Sequence, residues 1–565
     1  MIIMGLYGAF DWNANKSFNE HGEHTWCHDS GATIFVNGNH ICSISEERIT
    51  RIKNDGDYPI NSINYCLNYA NIDESEVDYV YVPSMCVPIF YKKLHEGTIN
   101  SILQEKFPNA KIKIISHHLS HAASSVFSSP FNEGSFLTID GAGSVIFDDK
   151  FQMSVMAEKN TIGYFNKKKS IFRFFNGLPG TNDFGAYYHS NSHMLYCEKI
   201  QQNIHPLDEK YRETFDGKIM GLSAYGKDTI INEDHKHYET SKNLYYSDFP
   251  YVYFKNGDDI IKSFTFKNVD EKSYIIQNNF ESAMLDYVSD LKEKNYLEDN
   301  LCLAGGSFLN VLGNSVIKNS GLFKNVHIPP FPNDVGLHFG AACYGQFENK
   351  EEINLPENIA LLGKEYSENE IEYAILRENL AFTKYENFED VCKFTAEKLS
   401  ENKIIGWFQG RSEFGPRALG SRSLLMHPGP VENKDVMNNR VKHREYWRPF
   451  AGIILEDDLS DYFNEDFLSP YMIYSLTVKE DKIPEIAAIT HLDNTCRIQT
   501  VNKKQNEKVF MLIEEFKRMT GTSLVLNTSF NDNGEPIIET PSDAIRAFLN
   551  LDIDHLVLGN FILSK

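Results

Sequence analysis

No Cys-x-x-Cys pair occurs in this chain, and its nine cysteines, at positions 27, 42, 66, 86, 197, 302, 343, 392 and 496, are scattered and odd in number. That pattern argues for reduced core thiols and against both a disulfide framework and a cysteine-based zinc site. Long apolar runs are missing too: none approaches the ~18 residues of a membrane-spanning helix, and the opening Met-Ile-Ile-Met-Gly-Leu-Tyr lacks the basic flank of a signal peptide. A cytoplasmic protein that does not engage a membrane is the expectation. Positive charge is scarce, with 55 Lys and Arg against 78 Asp and Glu and a net charge of −23. Extended binding to a nucleic acid backbone needs a positive surface field, so the charge argues against that class. A local basic pocket for a phosphorylated small molecule stays open. There is no internal repeat and no low-complexity tract.

What is present is a globular composition, 42% hydrophobic and 13% aromatic over 565 residues. At roughly 150 residues per domain this suggests two large or three smaller units. Apolar stretches at 2–7, 31–36 and 41–45 read as strands. Asn37-Gly38 before the third tolerates positive φ at both positions and favours a hairpin. Helical spacing at 60–69, 99–107 and 274–291 is interleaved with strand-like runs at 77–82, 111–115 and 135–140. Residues 301–310 read as strand, glycine turn and helix start. The acidic, glycine-poor stretch 347–385 reads as a domain connection, followed by a helix at 388–402 and a strand at 404–408.

Chemistry-bearing residues collect at the ends of these elements. His117 and His121 stand one helical turn apart, so two imidazoles can face one divalent transition metal, with iron or zinc suiting their softness; capping and packing of a helix start is the alternative. His28-Asp29 lies at the mouth of a strand, where side chains face a ligand or make a turn. Asp140-Gly141 ends another strand and suits either a nucleotide with its metal or a hairpin. Gly305-Gly306 offers backbone amides to a phosphate or allows close helix–strand packing. Asp334, after a proline-rich break, can complete a two-His, one-Asp metal site. Gly221 lies in a small-residue stretch, 218–227, to which no chemistry is assigned. Further on, Arg411, Arg417 and Arg422 fall in a glycine-rich loop, and Lys442, Arg448, Arg497, Asn527 and Ser529 follow. Arginines grouped this way in an acidic chain point to a bound anion, because guanidinium forks match phosphate and carboxylate.

The segments His28-Asp29-Ser30, 117–122, 139–143, 220–226, 305–310, 333–336, 410–422, 441–450, 490–501 and 527–536 together resemble the O-carbamoyltransferases of the nodulation-factor and antibiotic-tailoring type. They run in order along nearly the whole chain. The resemblance implies an α/β architecture: an actin-like ATPase domain of duplicated mixed sheets over 1–350, a connection at 351–384, and an α+β YrdC-like domain over 385–565. It implies that carbamoyl phosphate binds near Arg417, Arg422, Lys442, Arg448, Arg497, Asn527 and Ser529, with Arg417 and Lys442 also catalytic. Carbamate formed there is captured by ATP, with magnesium, as carbamoyladenylate. In the first domain Asp140, Gly141, Gly221, Gly305, Gly306 and Asn310 are implied to hold the nucleotide. His117, His121 and Asp334 would bind iron(II) or zinc. His28, beside Asp29, would be general base for an acceptor hydroxyl, on a sugar or other small molecule first and on a hydroxymethylated nucleobase second. The loop 11–26 looks longer than the family pattern, and the polar stretch 187–193 can line the acceptor pocket. Rival readings are a threonylcarbamoyl-adenylate or tRNA-modifying enzyme and a non-catalytic nucleotide-binding protein of actin-like fold.

Overall fold

The structure is a computed structural model that describes residues 1–10, 27–84, 89–141, 145–148, 153–176, 184–202, 215–226 and 268–565. The long loop 11–26 of the sequence reading lies outside the described residues. The chain divides into two compact units, Met1–Thr50 with Asn54–Leu355, and Arg51–Lys53 with Pro356–Lys565.

The first unit repeats one topology twice. Strands β1 (Ile2–Tyr7), β2 (Gly31–Val36), β3 (Asn39–Ser45), β4 (Tyr79–Pro83) and β5 (Lys111–Ile115) form a sheet in the order β3-β2-β1-β4-β5. Here β2 runs antiparallel to both neighbours, while β1, β4 and β5 are parallel. Strands β6 (Glu133–Ile139), β7 (Asn160–Asn166), β8 (Ile171–Asn176), β9 (Asn300–Ala304) and β10 (Asn325–His327) repeat it as β8-β7-β6-β9-β10, with the same strand directions. This is the duplicated mixed sheet of an actin-like ATPase fold. The hairpin between β2 and β3 forms where Asn37-Gly38 predicts it, with φ of 49° and 78°. A second hairpin, Val145–Asp148 with Met153–Ala157, was not legible in the sequence.

Helices close on these sheets at very short range. The first, α1 (His117–Ser128), starts at Ser116, whose hydroxyl accepts the Leu119 amide at 3.2 Å as an N-cap. The long α2 (Val269–Glu293) contains the predicted 274–291 span. Next, α3 (Leu337–Glu348) packs on both α1 and β1 with no room for a side chain. A Cβ on Gly340 would lie 1.9 Å from the Ser120 carbonyl oxygen, and one on Gly5 1.9 Å from that of His338.

The second unit is α+β. Strands β11 (Thr383–Lys384), β12 (Ile405–Phe408), β13 (Arg422–Met426), β14 (Ala451–Leu455), β15 (Ser475–Thr477), β16 (Thr495–Val501), β17 (Leu524–Ser529), β18 (His555–Leu558) and β19 (Phe561–Ser564) form one mixed sheet. Their order is β11-β19-β18-β12-β13-β17-β14-β16-β15. Helices α4 (Phe388–Ser400) and α5 (Glu507–Thr520) supply Val391, Leu399, Leu512 and Phe516 to a core shared with Trp407, Leu425, Ile453 and Val525. The stretch 351–384, read as a connection, contains a helix, Glu368–Arg377, and the edge strand β11. Its charges hid a complete capping box, Ser367 with Glu370, and the buried stripe Ile371, Ala374 and Ile375.

Candidate functional site

In the first unit, strand and helix ends bring four side chains from distant parts of the chain to one point. His117 and His121 come from the first two turns of α1, Asp140 follows β6, and Asp334 opens the turn before α3. One ligand atom from each lies within 4.8 Å of the others, and all four residues are buried. His117 Nε2 is 3.3 Å from Asp140 Oδ2 and 3.6 Å from Asp334 Oδ1. His121 Nε2 is 3.4 Å from Asp334 Oδ1 and 3.7 Å from Asp140 Oδ2. Both ring nitrogens of His121 are buried without a hydrogen bond, which fits a ligand set rather than a packed core, since buried polar atoms are normally satisfied. Burial pulls His117 down, but Asp334 and Asp140 outweigh it and raise it to about 10. Burial opposes the charge on Asp140 and Asp334 as well, and the histidines still hold both below the usual carboxylate range. Imidazoles and carboxylates are good donors for a divalent transition metal, so the residues fit one.

A second layer orients this cluster. Tyr7, at the end of β1, donates its hydroxyl to Asp334 Oδ2 at 2.9 Å, and burial, then Asp334, keeps the phenol protonated. His28 Nδ1 is 3.1 Å from Asp29 Oδ2, which also accepts from Asn333 Nδ2 at 2.9 Å. His28 Nε2 is 3.9 Å from Asp334 Oδ2, and its ring is 53% exposed. Burial lowers His28 while Asp334 and Asp29 raise it further, to a net increase. Asp29 adopts a positive φ of 62°, which a short acidic side chain tolerates. His118 stays out of the cluster: its Nδ1 pairs with Thr161 Oγ1 at 2.9 Å, and burial depresses it.

The glycine turn is wired to the same cluster. The Gly306 amide donates to Asp140 Oδ1 at 2.9 Å, and the Gly305 amide to the Pro332 carbonyl at 2.7 Å. Both amides that the sequence offered to a phosphate are therefore bonded within the protein. Gly305 has φ of 103°, and a Cβ there would lie 2.1 Å from the Ile139 carbonyl oxygen. Asn310 caps the helix Val311–Asn319 and exchanges two 3.0 Å hydrogen bonds with Gln277. Gly141 lies under the start of the helix Phe184–Ile200, where a Cβ on Gly185 would come 2.7 Å from its Cα. Gly221 is a buried position of the helix Asp216–Ser223.

The second unit holds a site of the opposite sign. Neither Arg417 nor Arg497 has a side-chain hydrogen bond or ion pair to any described residue. Burial, then Arg497 and Arg448, pushes Arg417 well below its ordinary value; burial, with Arg448 nearby, brings Arg497 to about 10. Arg448 has Glu445 at 3.6 Å. Lys442 Nζ donates to the carbonyls of Ser529 and Asn531, at 3.0 and 2.8 Å, and to Asn531 Oδ1 at 2.7 Å. Burial, then Arg444, Lys53 and Arg448, lowers it strongly. Ser529 Oγ donates to Asn531 Oδ1 at 2.6 Å, and Asn527 Nδ2 to the Ala418 carbonyl at 2.9 Å. Arg422, expected among the anion ligands, is instead bound into the fold. Fully buried, it stacks 3.6 Å over the Phe408 ring and gives Nη1 to the carbonyls of Gln409, Gly410 and Ser421. Arg411 likewise bonds the Gly363 and Leu362 carbonyls.

One family model, described as Carbamoyltransferase N-terminus, matches residues 20–85 and 88–343; a second, described as Carbamoyltransferase C-terminus, matches 396–565. The chain belongs to the carbamoyltransferase family. It is 31% identical to nodulation protein NolNO of Sinorhizobium fredii, over 100% of this chain and 83% of that one. An uncharacterized protein of Synechocystis, sll1178, is also 31% identical, over 96% of each chain. Among solved structures, ROK hexokinase from Thermus thermophilus aligns over 60% of this chain and 97% of its own, at 10% identity and a TM-score of 0.31. HypF from T. kodakarensis aligns over 62% and 47%, at 11% and 0.33. At such scores the fold rests on the strand order above.

As a carbamoyltransferase, the chain is a transferase that moves a carbamoyl group to an acceptor. Among the described residues no helix is long and apolar enough to cross a membrane. Three residues of its sites escaped the sequence reading. Tyr7 is one, although it ends the first strand of its sheet just as Asp140 follows the first strand of the other. Glu413 is the second: its Oε1 accepts the amides of Leu419, Ser421 and Arg422, at 2.7, 2.7 and 3.1 Å, and so shapes the loop that presents Arg417. Lys53 is the third, placed with the second unit by a three-residue stretch more than 300 residues before it.

Proposed function

We propose that this carbamoyltransferase makes carbamoyladenylate from carbamoyl phosphate and ATP at the arginine site, and transfers its carbamoyl group to an acceptor hydroxyl at the histidine–aspartate cluster. The observation that carries the reading is the pair Arg417 and Arg497, two neighbouring half-buried guanidinium groups without partners among the described residues. Such groups repel one another until an anion lies between them, and phosphate matches their geometry. Arg448 adds a third guanidinium, and Lys442 and Ser529, engaged with Asn531, would turn from it to reach the anion. Loss of phosphate to water leaves carbamate, whose oxygen attacks the α-phosphorus of ATP and expels pyrophosphate. The product is a mixed anhydride with AMP as its leaving group, a far better acyl donor than carbamate.

At the cluster, His117, His121, Asp334 and Asp140 would hold a divalent metal, iron(II) or zinc. When bound, it would supply Lewis-acid polarisation of the carbamoyl oxygen and positive charge beside the AMP phosphate. Asn333 holds Asp29, and Asp29 holds Nδ1–H of His28; a cation at the cluster would offset the Asp334 charge that raises this imidazole, leaving Nε2 to accept the acceptor's proton. The hydroxyl oxygen attacks the carbamoyl carbon, AMP departs, and a carbamate ester forms. Gly305, Gly306 and Asn310 would lie along the nucleotide, with Gly306 released from Asp140 to receive it. A sugar or other small-molecule hydroxyl is the acceptor class, in keeping with the net charge of −23 and with a nodulation protein among the relatives. Incubating the purified protein with ATP and carbamoyl phosphate, without threonine or bicarbonate, tests the reading. Pyrophosphate and a carbamoyladenylate mass are expected; pyrophosphate release that requires threonine would transfer the chain to threonylcarbamoyl chemistry. A mass-spectrometric screen of hydroxyl compounds for a carbamoyl gain then identifies the acceptor.

A further inference from the structure

We propose that Gln499 is the residue with which the second unit recognises the amide end of carbamoyl phosphate, an inference that rests on the arginine site taking that substrate. Carbamoyl phosphate differs from other acyl phosphates in a feature that hydrogen bonding can read: its acyl carbon carries NH2, a neutral donor of two protons. Arg417, Arg448, Arg497 and Lys442 are all donors, so they match the phosphate and carbonyl oxygens but not the NH2. The amide end requires an acceptor.

Gln499 is 3% exposed, and its Oε1 has no hydrogen-bond partner. Its Nε2 donates to the Leu419 carbonyl at 3.1 Å. That bond fixes which end of the amide is oxygen, because a flip would set two acceptors against each other. Asn527, already among the expected ligands, repeats the arrangement: 1% exposed, Nδ2 on the Ala418 carbonyl at 2.9 Å, and Oδ1 without a partner. The two amides thus hold successive carbonyls of the loop that presents Arg417, and each leaves a buried oxygen unpaired.

Strand register puts these oxygens beside the arginines. Gln499 stands two residues beyond Arg497 on β16, so both side chains share one face of the sheet. Arg497 is aligned with Ala451 on β14, and Ala451 with Asn527 on β17. Arg497, Ala451 and Asn527 thus stand side by side on three adjacent strands. Glu413 also has an unpaired oxygen, Oε2, but its carboxylate is tied to three amides of the loop itself and its charge does not select a neutral donor.

Calorimetric titration of the full chain with carbamoyl phosphate, acetyl phosphate and inorganic phosphate tests this. Acetyl phosphate replaces NH2 by a methyl group and keeps the phosphate. The wild-type chain is expected to prefer carbamoyl over acetyl phosphate by at least about tenfold. Gln499→Met, of similar volume, should bring that preference close to unity while leaving inorganic phosphate affinity unchanged. Gln499→Asn, which withdraws the oxygen by one methylene and keeps the amide, should do the same and serves if the methionine variant misfolds. Equal weakening of all three ligands would show that Gln499 only anchors the loop, and a preference surviving in both variants would likewise overturn the proposal. A wild-type chain that binds all three alike would remove the proposal and spare the phosphate site; one that binds none would remove both.

Discussion

In the first unit, two carboxylates and two imidazoles converge on a buried point; in the second, guanidinium groups crowd together with few acids to balance them. The first balances its own charges and offers ligand atoms; the second leaves positive charge unbalanced. The histidine–aspartate cluster presents lone pairs to one centre and fits a cation. The arginine site presents N–H groups and fits an anion. Proteins seldom leave such groups without a partner, and the contrast between the two units is what the proposed two-step reaction would require.

The comparison breaks most readily at Asp334. Asp334→Ala should reduce metal content and carbamoyl transfer by more than about 100-fold, since loss of outer-shell partners alone costs 10–100-fold at metal sites. Pyrophosphate release from ATP and carbamoyl phosphate should persist. Elemental analysis and the two assays decide; a parallel collapse of both activities would merge the two sites into one. Next in size is the contrast within a single loop. Arg422→Ala should destabilise the second unit by about 3 kcal/mol, because it strips donors from buried carbonyls and the cation from the Phe408 ring, and thermal denaturation would show it. Arg417→Ala should leave stability unchanged or raised, because it removes repulsion, while carbamoyl-phosphate-dependent pyrophosphate release falls about 100-fold. An equal stability loss in both variants would mean that Arg417 too is structural. The smallest effect is acid sensitivity of the first unit. Burial lowers His338 to about 3, so the unfolded chain binds the extra proton between pH 6.5 and 3 and stability is lost as pH falls through that window. By pH 5 the loss is about 2 kcal/mol. His338→Gln should flatten the dependence of denaturation midpoint on pH over that range, whatever its effect at neutral pH.

Much of the first site was legible because local rules govern it. The i, i+4 spacing put His117 and His121 on one face, the strand-to-glycine punctuation marked Asp140, and the proline-rich break marked Asp334. What joined them was the duplicated sheet, which no short window contains, and it sets Asp140, expected at a nucleotide, within the cluster that could hold a metal. The second site shows a sharper boundary. Arg417 and Arg422 are five residues apart in the same glycine-rich loop, and composition treats them alike. Only the pairing of β13 with β12, which aligns Arg422 with Phe408, decides that one guanidinium is enclosed and the other is offered. Gln499 escaped for a related reason: an amide on a strand carries no motif, and its meaning lies in which of its two ends is already engaged.

The contact between Gly340 and Ser120 bears on how far apart the proposed ligands of the first site stand. Asp334 sits at the entrance of α3 and the two histidines at the entrance of α1, and these helices meet backbone to backbone with a glycine as the spacer. The gap between the carboxylate and the imidazoles is thus gauged by the thickness of two main chains in contact. A cation entering the proposed site would meet ligands spaced by a main-chain contact, which no change of side-chain rotamer can widen.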